Sequence, residues 1–595
     1  MKKLMGPARV GSACIALLLA VIAAQPVAAQ PAPTTEEQNK QLDDFIVQVL
    51  GVEKEQIEAP ADATKDVKDA ATKVRDSLRS GIRNFAQQKL EDAVKDFTAA
   101  RETDKSLSPA NLYLAKLCFA TQDQNVQNAG RQFLERAVAT SEGRNEPEPY
   151  LLFGRMAVAG GRLTDAELNF AKALSLVPDD SSAGGAAPPD SPAAKWTSTR
   201  RKTFRKDVYA NQVQVAIARG ELTEAQMLVG EWIKIDADDA QALFRQGQIE
   251  YQLNVKDKKI DPALVAEILK TLQSAYDLAK TAHDKEIAGK EDRKDELPPL
   301  PPAELVLIQL HTANGVDKEA EDAVKALEAD AAKLYGENPK QLGNVLSSIA
   351  MWYMQKGKIS DAVKAANAAM AADSKAPALK KLSAMMQYLS NDPSAKETFK
   401  AMNIDEPGDF MISNTLALIL CESEAEADKT KAVQLAEINA QLNQNSMDAL
   451  STLCWVYYKT GRKPQALQAY GLLVQALQKG AQLSGDTAYF MSQVAIDSGA
   501  DEAEAYKAAK LFAQAAVDSQ GTFKHRDAAD AFLKRMKFSS PAGAGGGTAP
   551  RTGGTTPPAG GSTSGTGGAT GVPVVPAPPS GSGATTPPAG TGSGT

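Results

Sequence analysis

Between residues 66 and 537 apolar side chains recur every three or four positions, the period of helices that bury one face. The clearest unit runs from 147 to 180. Tyr150, Phe153, Gly154, Ala157, Gly161, Ala166, Phe170, Ala173 and Pro178 set aromatic and small residues at the spacing that two short antiparallel helices need. The small residues let two backbones approach, the aromatic ones fill the space between them, and Pro178 ends the second helix. One such pair cannot bury its apolar face alone, so one copy predicts neighbours.

The turn inside the pair repeats along the chain. Gly161-Arg162-Leu163-Thr164-Asp165-Ala166 recurs as Gly220-Glu221-Leu222-Thr223-Glu224-Ala225 and as Gly357-Lys358-Ile359-Ser360-Asp361-Ala362. Weaker copies begin at Gln88 and Gly461, the latter with Pro464 suited to a first helical turn. The pattern predicts a left-handed glycine ending the first helix, an apolar residue sealing the corner, and Thr or Ser capping the second helix. Thr164 with Glu167, and Thr223 with Gln226, have the spacing of capping boxes. An earlier helix is predicted from Thr35, boxed by Gln38, with Leu42, Phe45, Ile46, Val49 and Leu50 on one stripe. It is suited to cap the end of an array.

These residues resemble the tetratricopeptide repeat family, whose 34-residue unit is a helix–turn–helix. Copies near 206–239, 343–376 and 447–480 match well, and those near 74–107 and 486–519 in part. Segments 108–141 and 414–446 fit with small insertions, while 240–280 and 304–336 are helical but irregular. The resemblance implies an all-α, right-handed superhelical solenoid of stacked antiparallel helix pairs. It also implies a concave side lined by the first helix of each pair, where family members commonly bind peptides. Carried over position by position, that face holds Arg155, Gln214, Asn344, Met351, Met354, Ser451, Trp455, Tyr458 and Lys459. Exposed there, Met351, Met354, Trp455 and Tyr458 would give adaptable apolar contact to a bound segment. The alternative is that they pack against the region near 390–410 or the next helix. The Lys/Asn/Arg clamp by which some family members hold chaperone C-termini is not apparent.

Composition shifts mark the other segments. Residues 1–29 read as a secretory signal peptide: Lys2, Lys3 and Arg9, then an apolar stretch from Ala13 to Ala24, then Val27-Ala28-Ala29. Residues 30–65 hold a linker and the amphipathic helix. An N-terminal array is expected over 66–284, with a Ser/Gly/Pro-rich loop inserted at 179–194. A charged, Pro-rich connector at 285–303 leads to a C-terminal array over 304–538, with an irregular stretch near 390–410. From 539 to 595 the chain is Gly, Pro, Ser, Thr and Ala with three Val and one Arg, a composition that predicts disorder and offers hydroxyls for sugars.

Net charge is −7, and the basic cluster Arg200, Arg201, Lys202, Arg205 and Lys206 reads as a solvated helix entry, so nucleic acid is a poor candidate. Past the signal three cysteines remain, Cys118, Cys421 and Cys454, an odd number that forms no complete disulfide framework. Cys421 and Cys454 lie about one repeat apart, so they either face each other or sit as separate buried thiols. His283, His311 and His525 lie far apart in sequence, outside any catalytic or metal-binding motif. Gly357-Lys358-Ile359-Ser360 lacks the upstream glycine of a phosphate loop. No cofactor or metal is therefore expected. The function expected is that of a non-enzymatic, exported scaffold, periplasmic or cell-surface, binding protein partners. The alternative is an accessory factor in envelope polysaccharide export or cell-wall association, with envelope glycan as ligand.

Overall fold

The computed structural model describes residues 35–538 apart from 122, 141–142, 180–190, 291–292, 294–295, 445, 499–501 and 520–521. The signal segment, the C-terminal tail and most of the inserted loop lie outside the described residues. The chain divides into two compact units, one reaching to Ala282 and the other beginning at His283.

In the first unit, α1 (Thr35–Phe45) runs into a wider π turn, Ile46–Leu50, that ends on Gly51 in a left-handed conformation. After the short α2 (Lys54–Ile57) come antiparallel pairs: α3 (Lys65–Ala86) with α4 (Leu90–Thr103), α5 (Ala110–Phe119) with α6 (Gln124–Ala139), and α7 (Pro147–Ala159) with α8 (Leu163–Ser175). Then follow α9 (Ser198–Arg219) with α10 (Leu222–Ile235), and α11 (Ala240–Asn254) before the long α12 (Pro262–Ile287). Leu42, Phe45, Ile46 and Leu50, the stripe read in the sequence, are buried in one core with Leu78, Ile82, Phe97 and Leu114. The helix thus covers apolar surface that α3 and α5 would otherwise leave open.

The second unit continues the scheme. Its pairs are α13 (Ala303–Ala313) with α14 (Asp317–Tyr335), α15 (Pro339–Gln355) with α16 (Ile359–Ala372), and α17 (Pro377–Leu389) with α18 (Ala395–Asp405). Three more follow: α19 (Phe410–Cys421) with α20 (Glu426–Leu442), α21 (Met447–Lys459) with α22 (Lys463–Gln478), and α23 (Gly485–Ile496) with α24 (Glu502–Asp518). A last helix, α25 (Arg526–Phe538), packs on α24. No described helix is long and apolar enough to cross a membrane.

Close approach within a pair depends on small residues. A Cβ built on Gly154 would stand 2.2 Å from the ring of Phe170, and one on Gly81 would stand 2.5 Å from Phe97. Both glycines precede their phenylalanine by 16 residues, so the same lock operates in two pairs. Gly161, Gly220, Gly357 and Gly461 all have φ between 69° and 77°, as the turn pattern requires. The next residue closes the turn by donating its N–H back five positions: Arg162 to Ala157 at 2.8 Å, Glu221 to Ala216 at 2.9 Å, Lys358 to Tyr353 at 2.9 Å.

That bond corrects one expectation. The second helix starts directly at Leu163, Leu222 or Ile359, with Arg162, Glu221 or Lys358 as a cap that makes no side-chain bond. Thr164, Thr223 and Ser360 lie inside the first turn and cap nothing, so neither proposed capping box forms. The region near 390–410 is corrected too. It is an ordinary pair, α17 and α18, whose turn residue is Asn391 at φ 58°, with Asp392 N–H bonded to Gln387 at 2.9 Å. Asparagine tolerates the left-handed conformation that glycine takes elsewhere.

Candidate functional site

In the second unit the first helices of consecutive pairs, or the residue just after them, face a short segment between α24 and α25. Met354, Tyr388 and Glu422 are spaced 34 residues apart, as are Trp455 and Tyr489. Against them lies the strap Thr522–Arg526. Thr522 Oγ1 donates to the Met354 carbonyl. Phe523 is buried in a small cluster with Ala488, Ala516 and Ala529, and a Cβ on Gly485 would stand 2.4 Å from its ring. Lys524 Nζ lies 4.2 Å over the Tyr388 ring and 3.7 Å from Glu422. His525 reaches Asp486 through Nδ1 at 2.9 Å and Glu422 through Nε2 at 3.2 Å, and stacks on Tyr489 at 5.0 Å with the rings nearly parallel.

Trp455 lies at the middle of this contact. Its ring packs on Phe490 at 4.6 Å, with Tyr458, Tyr489 and His525 around it and Lys459 Nζ 5.4 Å above. Trp455 Nε1 and the Tyr388 hydroxyl are both buried without a hydrogen-bond partner. Burial disfavours the charged form of His525, but Asp486 and Glu422 outweigh it and raise its pKa above the ordinary 6.5. Glu422 loses hydration through burial, yet His525, Lys524 and Lys459 together hold its carboxyl below the usual range. Burial pushes Tyr388 well above the normal phenol range, and Asp486 and Glu422 add to the effect.

The face residues read from the sequence divide sharply. Met351 is 48% exposed on α15, and Asn344 on the same helix and Lys459 on α21 are exposed as well. Met354 is half-buried and packs on the core of α15 and α16. Trp455 and Ser451 are corrections: they are 4% and 3% exposed. Trp455 is covered by Phe490 of the next pair, the alternative weighed for it, and Ser451 Oγ accepts from Thr487 at 3.0 Å. Tyr458 is half-buried against Trp455, so the two do not offer an open aromatic platform. Sequence reading missed Tyr388, Glu422, Asp486, Tyr489, Lys524 and His525. The 34-residue step from Met354 would have found the first two, and the same step from Trp455 would have found Tyr489.

In the first unit, Arg155 pairs with Asp207 on the neighbouring first helix, and Gln214 is exposed further along it. Arg200, Arg205 and Lys206 of the basic cluster are spent internally, while Lys202 is exposed. Arg200 stacks on Trp196 at 4.1 Å and bonds the Ser106 carbonyl at 3.1 Å and Glu148 at 3.2 Å. Arg205 lies 3.5 Å from Asp179, and Lys206 is 2.9 Å from Asp236 and 2.7 Å from Asp239. Cys118, Cys421 and Cys454 are free, buried thiols, and burial pushes Cys118 and Cys454 each up to about 12.

The repeated 34-residue register, the left-handed turns and the small-to-aromatic locks decide the architecture. The fold is tetratricopeptide-like. No family model matches the sequence, and no curated protein matches it either. Solved structures similar to the chain include yeast Tom70, at 12% identity and a TM-score of 0.30, over 78% of this chain and 96% of Tom70. A tetratricopeptide repeat protein from Parabacteroides merdae gives 10% identity and a TM-score of 0.23, over 66% and 98%. The tetratricopeptide domain of P58(IPK) gives 15% and 0.19, over 71% and 97%. These likenesses are loose, and the tetratricopeptide-like fold rests on the helix pairs themselves.

Proposed function

We propose that the chain is a non-enzymatic scaffold, exported to the periplasm or cell surface, that holds segments of partner proteins on the first helices of its pairs. The observation that carries this reading is the strap. Five consecutive pairs of the second unit already meet a short stretch of polypeptide, one through a backbone carbonyl and four through aromatic or charged side chains. A surface that orders its own chain in this way has the chemistry to order another. Export rests on the basic, apolar and small-residue succession of residues 1–29. The glycan alternative has less support, because Trp455, its best aromatic platform, is covered on its face by Phe490.

The test is photocrosslinking in the native host from Met351, with Leu168 on the second helix of another pair as control; both are exposed. One or two envelope proteins captured at Met351 and not at Leu168 are the expected result. Capture of glycan, or identical products from both positions, would overturn the scaffold reading. Fractionation and N-terminal sequencing of the mature chain test export, with cleavage expected after Ala29.

A further inference from the structure

Resting on the scaffold reading, we infer that the strap is an internal stand-in for the partner, and that the inner face of the second unit takes a peptide bearing an aromatic residue followed by cations. Each strap side chain meets a complementary feature. Phe523 fills the niche beside Gly485, whose missing Cβ leaves room for the ring. Lys524 covers the face of Tyr388, and His525 sits between the carboxylates of Glu422 and Asp486. The niche, the aromatic face and the carboxylate pair therefore define a consecutive aromatic–cation–cation preference.

The strap does not satisfy everything it covers. Trp455 Nε1 and the Tyr388 hydroxyl, each 4% exposed as residues, remain unpartnered donors beneath it. Both belong to one buried core with Phe490 and with Leu416 and Cys421 of α19. Backbone carbonyls of an extended peptide supply acceptors of the kind these two donors lack. A foreign segment with the strap's side chains and a backbone that reaches these donors would compete with the strap, against the high effective concentration of a tethered ligand. The strap also keeps a hydrophobic, acidic face covered until such a segment arrives.

The test uses the full chain and a fluorescent peptide copying Thr522–Ala529. Lys524→Ala/His525→Ala removes the strap's contacts with Tyr388, Glu422 and Asp486, so that the peptide can displace Phe523 from its niche, and folding is checked by circular dichroism. The peptide is expected to bind this variant at least tenfold more tightly than the unaltered chain. Adding Glu422→Gln and Asp486→Asn is expected to abolish that gain. A folded variant with no gain, or a gain that survives loss of both carboxylates, overturns the inference. If the double variant fails to fold, His525→Gln alone replaces it, with a gain of about threefold expected and none overturning. A chain found to exchange its strap with a second copy, by crosslinks joining Lys524 of one chain to Glu422 of another, also overturns it. Capture of a partner at Met351 without any peptide gain rejects the strap and leaves the scaffold reading standing, so the two failures are distinguishable.

Discussion

His525 shows how one side chain ties the end of an array to its face. It is flanked by Asp486 and Tyr489 on α23 and by Glu422 after α19, with Lys524 beside it, Lys459 on α21, Tyr388 on α17 and Arg535 on α25 completing the charged surroundings. Because its folded pKa is raised, the imidazolium contributes stability that is fully present below about pH 6.5 and is lost as pH rises through the raised value. Hydrogen exchange at the strap amides, corrected for intrinsic rates, should therefore be slowest near about pH 6 and faster near about pH 9. His525→Gln should flatten that dependence. A dependence that persists in His525→Gln would show that another group controls the strap.

At the scale of the element, the decisive unit is the helix pair locked by a missing side chain. Gly154→Ala would place a Cβ 2.2 Å from Phe170, on a ring that is itself fully buried, so neither partner can yield cheaply. Overpacking of this kind costs about 1–3 kcal/mol, which outweighs alanine's better helix propensity of about 1 kcal/mol. Gly154→Ala should lower the melting temperature. Gly230→Ala, at a helical position where a Cβ meets nothing, should leave it unchanged or raise it. The lock was legible in the sequence because it couples two residue types at a fixed distance. The turn caps were not, since the backbone bond from Arg162 to Ala157 satisfies the corner before a threonine side chain is needed. The pair at 377–405 was hidden because Asn391 takes the place of glycine. The face was legible only as positions. Whether Trp455 lies open depends on Phe490 from the next pair and on the strap, which arrives from far along the chain, and no local pattern encodes that.

On the scale of the whole molecule, a solenoid-like array has no single core, and damage is expected to stay near where it is made. The first unit offers the sharpest case. Glu148 accepts from Ser108 at 2.8 Å, Lys116 at 2.9 Å and Arg200 at 3.2 Å, while Lys116 also donates to the Leu50 carbonyl at 2.6 Å. One carboxylate therefore joins the end of the capping helix, the loop before α5, α7 and α9. Burial opposes its charge, but Lys116 and Arg200, with the Ser108 bond, outweigh that and bring its pKa to about 2. A depressed carboxylate adds stability above its unfolded pKa that is lost as pH falls toward the folded value, here between about 4.5 and about 2. The linkage corresponds to about 3 kcal/mol at neutral pH, and Glu148→Gln also takes from the buried Lys116 and Arg200 the carboxylate they share. Glu146, raised to about 7 chiefly by burial against the pull of Arg101, works in the opposite sense, so the effect is read as the difference between the two proteins. That difference should be about 3 kcal/mol at pH 7 and should shrink as the pH drops through the acid range. Hydrogen exchange should quicken in α1, α5, α7 and α9, whose ends meet at the carboxylate, and stay unchanged in α11, which begins the pair after α9 and α10. Equal acceleration in α11 would mean that the first unit unfolds as one block, and its stability would then belong to the unit instead of to neighbouring pairs.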